Sequence, residues 1–200
     1  MKIAAILLAA GSSRRFGGEN KLLANIEGVP MVARSADALL RVTPSLRPIT
    51  VVTGYQQDSV RDSLGEILGR ENHMTFAYNP DYASGIASSV HTGLRALPDG
   101  VDGAVIALAD MPWVKSSHIE KLVEAFEGRE SICVPVAGGR RGNPTLWGAS
   151  YFKRMFSCKD DVGARDLLLE FTDCVREVVF DDTATLTDVD TPDAWKSDKT

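Results

Sequence analysis

The chain alternates between apolar runs rich in β-branched residues and longer amphipathic stretches, and this alternation limits the folds it can adopt. The apolar runs predict strands at residues 3–8, 49–53, 74–78, 104–108 and 132–136. The intervening stretches carry apolar residues at helical spacing and predict helices at residues 30–40, 57–68, 86–97 and 117–126. Several strands are continuously apolar, as in a sheet covered on both faces. This order predicts a doubly wound, mostly parallel α/β sheet with helices on both faces, a Rossmann-like fold.

After Pro135 the rhythm changes. The segment AGGRRGNPTLWG is rich in Gly and Arg, and helix-like stretches at 149–156 and 164–171 and a strand-like stretch at 175–180 follow it. Ser117 with Glu120 has the form of a capping box, and Thr191 with Pro192 predicts a short helix at 191–195. No linker or repeat divides the 200 residues, so we expect a single domain, with a core of about 1–130 and a second portion of about 131–200.

Composition excludes several classes of protein. A hydrophobic content of 44% and a charged content of 24% are those of a globular protein. No apolar run approaches the roughly 18–20 residues that span a bilayer, so no membrane partner is expected. A net charge of −5 argues against nucleic acid as a partner. Three widely spaced cysteines without a CxxC pair, Cys133, Cys158 and Cys174, favour reduced thiols in a cytoplasmic protein over disulfides or zinc.

The opening stretch MKIAAILLAAGSSRRFGGENKLL has two interpretations. Lys2 and the apolar run after it resemble the start of a secretory signal peptide. However, the run is short and Arg14 and Arg15 follow soon after Ala9, where a cleavable signal avoids positive charge. We therefore expect a buried first strand that stays in the protein and opens into a loop.

That loop, AAGSSRRFGGENK, has the composition of a phosphate-binding loop. In open α/β sheets, ligands bind beyond the carboxyl ends of the strands. Gly11, Gly17 and Gly18 allow close backbone approach, and Arg14, Arg15 and Lys21 supply charge that an ordinary turn does not need. Neither GxxxxGK[ST] nor GxGxxG is present, so this is neither a Walker loop nor a dinucleotide loop. An ordinary solvated turn is the alternative.

LAAGSSRRFGGENKLL resembles the LAAGxSxRxG…K signature of the molybdenum cofactor cytidylyltransferase and guanylyltransferase group of nucleotidyltransferases. GVPMVARSA, NPDYASGIASSVHTGL, ALADMP, RGNPTL, DDVGARDLL and DVDTPDAW follow in the family's order, so the resemblance covers nearly the whole chain. It implies a nucleotide-binding core in the first part of the chain and an acceptor-binding portion in the second.

The resemblance also implies a role for each matching residue of the nucleotide site. The backbone of Ala10 and Gly11, with Ser12 and Ser13, would line the nucleotide. Arg14 and Arg15 would hold the β- and γ-phosphates, and Lys21 would neutralise charge at the α-phosphate. Arg15, Lys21 and Asp110 are the expected catalytic residues. The base and ribose would be contacted by a set from the NPDYASGIASSV segment: Asn79, Gly85, Ser88 and Ser89. A glycine-containing turn before a capped helix is the alternative for that segment.

Two carboxylates are the candidate ligands of a metal ion. Asp110 follows a buried strand, where it would face the ligand crevice and could bridge Mg²⁺, or Mn²⁺, to triphosphate oxygens. The resemblance implies Asp190 as the second ligand, with Asp188 as its rival. For both positions the alternative is helix capping.

The acceptor would be bound by two further segments that match the family. RRGNPTL supplies one set of residues, Arg141, Gly142, Asn143 and Pro144, with Arg140 beside them. DDVGARDLL supplies Asp161 and Arg165, although Asp160 stands where the family has glycine. A plain helix start with Asp161 as N-cap is the alternative there.

The resemblance implies metal-dependent transfer of CMP from CTP to the phosphate of molybdenum cofactor (molybdopterin), with release of pyrophosphate. A phosphate monoester is largely dianionic near pH 7 and needs no strong base, which fits a chain without a Ser/His/Asp pattern. Within the family, LAAG with Ala10 accompanies cytidine transfer and LAGG guanosine transfer. The alternatives are GMP transfer from GTP, another small phosphorylated acceptor, or a non-catalytic carrier. A recipient molybdoenzyme is a further expected partner.

Overall fold

The computed structural model describes residues 1–11, 13, 20–43, 46–65, 74–158 and 163–190. The strands are β1 (Ile3–Ala9), β2 (Asn25–Ile26), β3 (Val29–Pro30), β4 (Ile49–Thr53), β5 (Met74–Tyr78), β6 (Gly103–Leu108), β7 (Ile132–Ala137), β8 (Arg140–Arg141), β9 (Thr145–Gly148) and β10 (Val175–Phe180). The α-helices are α1 (Met31–Leu40), α2 (Gln57–Ser63), α3 (Ile86–Arg95), α4 (Ser116–Glu124), α5 (Phe152–Met155) and α6 (Gly163–Glu170). Short 3₁₀ helices include Lys21–Leu23, Tyr82–Ser84 and Ala184–Leu186.

One mixed sheet organises the chain, in the order β5-β4-β1-β6-β9-β7-β10, with β8 paired to the end of β7. Neighbouring strands are parallel except where β9 pairs with β6 and β7 and where β8 pairs with β7. The predicted doubly wound, mostly parallel α/β fold is confirmed. Because β1, β4, β5, β6, β7 and β10 run in one direction, their carboxyl ends meet at one edge of the sheet.

Each face of the sheet carries its own hydrophobic core, and β1 contributes to both. Side chains alternate along a strand, so Ala5 and Leu7 enter one core while Ala4 and Ile6 enter the other. Helices α1 and α4 cover the first face, and α3, α5 and α6 cover the second. β1 is fully buried and lies between β4 and β6, so the opening apolar run is a central strand of the sheet.

The main addition to the predicted elements is β9, formed by the four buried residues Thr145–Gly148. It runs antiparallel between β6 and β7, so it begins at the carboxyl edge of the sheet, where Thr145 pairs with Ile106. No strand was predicted in this stretch from the sequence. A second addition is the β2–β3 hairpin, whose two-residue turn has positive φ at Glu27 and Gly28.

The cap of α4 differs from the predicted Ser117–Glu120 box. Helix α4 begins at Ser116, and the ring Nδ1 of His118 accepts a hydrogen bond from the Lys115 N–H at 2.9 Å. Glu120 instead accepts from the backbone N–H of Thr43. The predicted helix at 191–195 lies outside the described residues.

Two expectations from composition can be compared with the structure. Within the described ranges, no helix is both long and apolar enough to cross a bilayer. All three cysteines are free thiols, as expected, and burial raises the pKa of Cys133 to about 11.

Candidate active site

The site lies at the carboxyl edge of the sheet, where segments from both halves of the chain meet. Lys21 lies in the loop after β1, and Asp110 lies in the turn after β6. Residues 181–190, which follow β10, contribute Asp188 and Asp190. We call residues 181–190 the strap. The loop before β9 ends at Pro144, which lines a small cavity together with Leu108 and Met111 and so lies beside the end of β6.

Alternation along the strap places two carboxylates on one side. Val189 is fully buried in the first core, whereas Asp188 is exposed and Asp190 is partly exposed. In an extended segment, side chains two residues apart point the same way. The backbone N–H of Val189 donates to the Asp110 carbonyl at 2.9 Å, which ties the strap to the turn after β6.

Lys21 lies between the two segments. Its Nζ is 2.7 Å from Asp110 Oδ2 and 3.1 Å from Asp190 Oδ1. The Lys21 side chain is only 14% exposed. Burial alone would lower the pKa of Lys21, but the charges and hydrogen bonds of Asp110 and Asp190 outweigh it, so the pKa is raised. Lys21 is therefore a charged ammonium held among carboxylates.

Asn20 and Ser13 hold Lys21 in this position, and sequence reasoning did not identify Asn20. Asn20 is 4% exposed; its Oδ1 accepts from the Leu22 N–H at 3.1 Å and its Nδ2 donates to the Tyr55 carbonyl at 3.3 Å. Ser13, at a φ of 49°, accepts the Lys21 N–H on its Oγ at 3.0 Å. An asparagine directly before the signature lysine, at the N-cap of a short helix, was the available signal.

The carboxylates of Asp110, Asp188 and Asp190 form a set that suits a hard cation. One oxygen of each lies within 4.8 Å of the others. An all-oxygen, anionic donor set is what Mg²⁺ and Mn²⁺ take in proteins. The rival residue Asp188 thus belongs to the same cluster as Asp190. In the structure, the Lys21 ammonium pairs with Asp110 and Asp190 and so neutralises part of the negative charge of this cluster.

The predicted nucleotide residues Ala10 and Gly11 follow β1 directly. Ala10 is 3% exposed, and its carbonyl accepts from the Tyr55 N–H at 3.4 Å. A Cβ on Gly54 would lie 2.8 Å from the Ala10 carbonyl oxygen and 2.6 Å from the Tyr82 Cβ, so these three residues pack tightly. A Cβ on Gly11 would meet no described atom within 4 Å, so described neighbours do not require glycine there.

The segment predicted to contact base and ribose is built around Asn79. Asn79 is 1% exposed, and its Nδ2 donates to the hydroxyls of Ser88 and Ser89 at 2.9 and 3.0 Å. Gly85 has a φ of 113°, which favours glycine, and it is the N-cap of α3. Asn79 therefore fixes the loop against the first turn of α3; direct contact of these residues with nucleotide stays a prediction.

The predicted acceptor loop contacts the strap. The Asn143 N–H donates to the Thr185 carbonyl at 2.8 Å, and a Cβ on Gly142 would overlap that carbonyl. Glycine is therefore required by this close approach. Arg141 pairs with Glu177 of β10 at 2.8 Å. The structure thus brings the acceptor loop and the strap together at the edge that carries Asp110.

Several predicted site residues cannot be compared with the structure. Ser12, Arg14, Arg15 and Asp161 lie outside the described residues, as does the side chain of Arg165.

Comparison with known proteins shows the family. The family model for the MobA-like NTP transferase domain matches residues 5–175. The chain therefore belongs to the MobA-like NTP transferase domain family, a family of nucleotidyltransferases. The resemblance identified from the sequence motifs is confirmed at this level.

Among its relatives is the purine catabolism protein PucB of Bacillus subtilis, 30% identical over 199 residues, with 95% of this chain and 92% of PucB covered. A probable molybdenum cofactor guanylyltransferase of Pyrococcus horikoshii is 29% identical over 136 residues, which cover 68% of this chain and 62% of that protein. The match to the bifunctional protein GlmU of Clavibacter sepedonicus spans only 28% of that protein. The solved structure of Rv0371c from Mycobacterium tuberculosis has the same fold, with a TM-score of 0.82, 22% identity and coverage of 98% of this chain and 96% of that one.

Proposed function

We propose that this nucleotidyltransferase transfers CMP from CTP to the phosphate of molybdenum cofactor and releases pyrophosphate. The observation that carries the proposal is the contact of Lys21 with both Asp110 and Asp190 beside the loop after β1. A cation and carboxylates from three distant segments meet where an α/β sheet binds its ligands. A non-catalytic carrier would not need this arrangement.

The reaction places simple demands on the chain. An oxygen of the acceptor's phosphate forms a bond to the α-phosphorus of the triphosphate, and the bond from that phosphorus to the bridging oxygen breaks. Because the attacking phosphate is already largely dianionic, the chain has to align the two substrates and neutralise their charge. Lys21 is the described cation suited to this task, and Arg14 and Arg15 are the candidates beside it in sequence.

Asp110, Asp188 and Asp190 would hold a divalent cation, Mg²⁺ or Mn²⁺. Such a cation neutralises triphosphate charge and polarises the phosphorus that is attacked. In the structure Lys21 contacts Asp110 and Asp190, so we expect its ammonium to turn towards phosphate oxygens when the triphosphate and its cation bind. Buried Asn20 would keep the Lys21 backbone fixed during that change.

The choice of CTP rests on Ala10. Ala10 directly follows β1 at the carboxyl edge of the sheet, and one methyl group in a base pocket can disfavour a larger base by about 1–3 kcal/mol. GTP is the second candidate, favoured by the relative named as a probable guanylyltransferase. The likeness to the purine catabolism protein PucB extends over nearly the whole of both chains. It supports an enzyme of purine catabolism as the recipient of the modified cofactor.

The experiment offers the purified chain CTP or GTP separately, with Mg²⁺ and molybdenum cofactor, and measures pyrophosphate. The proposal expects release with CTP, little with GTP, and none without cofactor or metal. Release with GTP but not with CTP would move the assignment to guanylyl transfer. Release with neither nucleotide would refute nucleotidyl transfer to this acceptor.

A further inference from the structure

His118 is a buried histidine that the proposed chemistry does not use. It lies in the first turn of α4, eight residues after Asp110, and it is 5% exposed. Its ring packs edge-on against Phe180, the last residue of β10, with ring centroids 5.2 Å apart. His118 therefore lies where the strap leaves the sheet.

The hydrogen bonds of His118 define its tautomer. Its Nδ1 lies 2.9 Å from the Lys115 backbone nitrogen, which can only donate, so Nδ1 is an acceptor without a proton. The proton of the neutral ring is then on Nε2, which lies 3.0 Å from Asp182 Oδ2 and donates to it. Asp182 Oδ1 accepts the Ala184 N–H at 3.0 Å. Asp182 thus joins α4 to the first turn of the strap.

This contact lies at the start of a short series of bonds that leads to the carboxylate cluster. Beyond Ala184, the carbonyl of Thr185 accepts from the Asn143 N–H, and the N–H of Val189 donates to Asp110. These bonds hold the strap at its beginning, middle and end. Asp188 and Asp190 lie on either side of the last of them.

We propose that His118 and Asp182 are positioning residues that hold the strap so that Asp188 and Asp190 face Asp110 in the geometry a divalent cation needs. The inference rests on the proposed function for the role of the cation. His118 and Asp182 contact neither the nucleotide nor the cation in this scheme. They act by fixing one end of the segment that carries two of the three carboxylates.

The test compares two variants with a matched control. His118→Asn keeps an acceptor for the Lys115 N–H, because the Asn carboxamide oxygen reaches about as far as Nδ1. It loses the hydrogen bond to Asp182. Asp182→Ala removes the contact from the other side. Asp181→Ala is the control, since Asp181 is an exposed neighbour without a hydrogen bond or ion pair to the described residues.

The first measurement is amide hydrogen exchange of Val189 and Asn143. We expect both variants to exchange about tenfold faster there, the double variant no faster than either single one, and the control to match wild type. The second measurement is Mn²⁺ binding by electron paramagnetic resonance, without nucleotide. We expect about tenfold weaker binding in both variants, and an equal rise in the Mg²⁺ concentration for half-maximal activity, with kcat at saturating Mg²⁺ unchanged.

An exchange rate at Val189 equal to that of wild type in both variants would overturn the positioning role. An equal loss of Mn²⁺ affinity in the Asp181→Ala control would overturn it as well. Faster exchange in both variants, combined with a wild-type chain that binds no Mn²⁺, would support the positioning role and reject the cation site of the proposed function. The two proposals therefore fail separately.

Discussion

The Nζ of Lys21 lies 2.7 Å from Oδ2 of Asp110, although the two residues are 89 positions apart in the chain. The ammonium is thus the counter-charge of the carboxylates that would hold a cation. We therefore expect a cation that binds to this cluster to compete with the Lys21 ammonium for the carboxylates, and this competition can be measured.

Lys21→Met removes the charge and keeps most of the side-chain volume. We expect Mn²⁺ affinity without nucleotide to rise about tenfold, because the carboxylates lose their internal counter-charge. Turnover should fall by about a hundredfold or more, because charge neutralisation at the phosphate is lost. Titration with Mn²⁺ and a pyrophosphate assay measure the two effects. Lys153→Met, at an exposed lysine of α5, should change neither; unchanged Mn²⁺ affinity in Lys21→Met would contradict the competition.

Asp110→Asn should retain the fold and lose metal-dependent transfer. The strap is tied to the Asp110 backbone carbonyl, which the substitution leaves in place. We expect turnover to fall by about a hundredfold or more, with a circular dichroism spectrum like that of wild type. Pyrophosphate release over a range of Mg²⁺ concentrations measures the effect, with exposed Asp99→Asn as control. Activity equal to wild type would remove Asp110 from the metal site.

Ala10→Gly should weaken the discrimination between CTP and GTP. In the proposed base pocket, removing the Ala10 methyl group is worth about 1–3 kcal/mol, so the ratio of kcat/KM for CTP to that for GTP should fall about tenfold. Competition between the two nucleotides measures this ratio. Ala137→Gly changes a similarly buried alanine at the end of β7 and should leave the ratio alone. A ratio unaffected by Ala10→Gly would show that other residues select the base.

Gly142→Ala should disrupt the contact between the acceptor loop and the strap. The added Cβ overlaps the backbone carbonyl of Thr185, which cannot rotate away. We expect the free energy of unfolding to fall by about 1–3 kcal/mol and the KM for the acceptor to rise. Urea denaturation and steady-state kinetics measure these changes. Gly65→Ala, where no described atom lies within 4 Å of the new Cβ, should be nearly neutral; equal effects of both substitutions would contradict the proposed contact.

The parallel part of the sheet could be predicted because its signal is local. β1 is uniformly apolar and β4 is rich in β-branched residues, while helices such as α1 and α3 show their apolar face in their own spacing. β9 has only four residues and is covered on both faces, so it has neither the length nor the alternation that identifies a strand. Its antiparallel direction depends on pairing with β6 and β7, which no local pattern encodes.

The site was partly predictable for a similar reason. Lys21, Asp110 and Asp190 could be chosen because each lies in a recognisable motif. The contact between them could not be derived, since it depends on how the strap returns from β10. Asn20 and His118 act through buried hydrogen bonds to distant backbone and side-chain groups, and single residues of these types are common in any sequence.

The position of the strap in the chain has a consequence for how such enzymes diverge. The family match ends at residue 175, where β10 begins, so it includes Lys21 and Asp110 but neither Asp188 nor Asp190. Under the proposed function, a relative altered only in the ten residues of the strap would retain Lys21 and Asp110 but would lose two of the three carboxylates that would hold the cation.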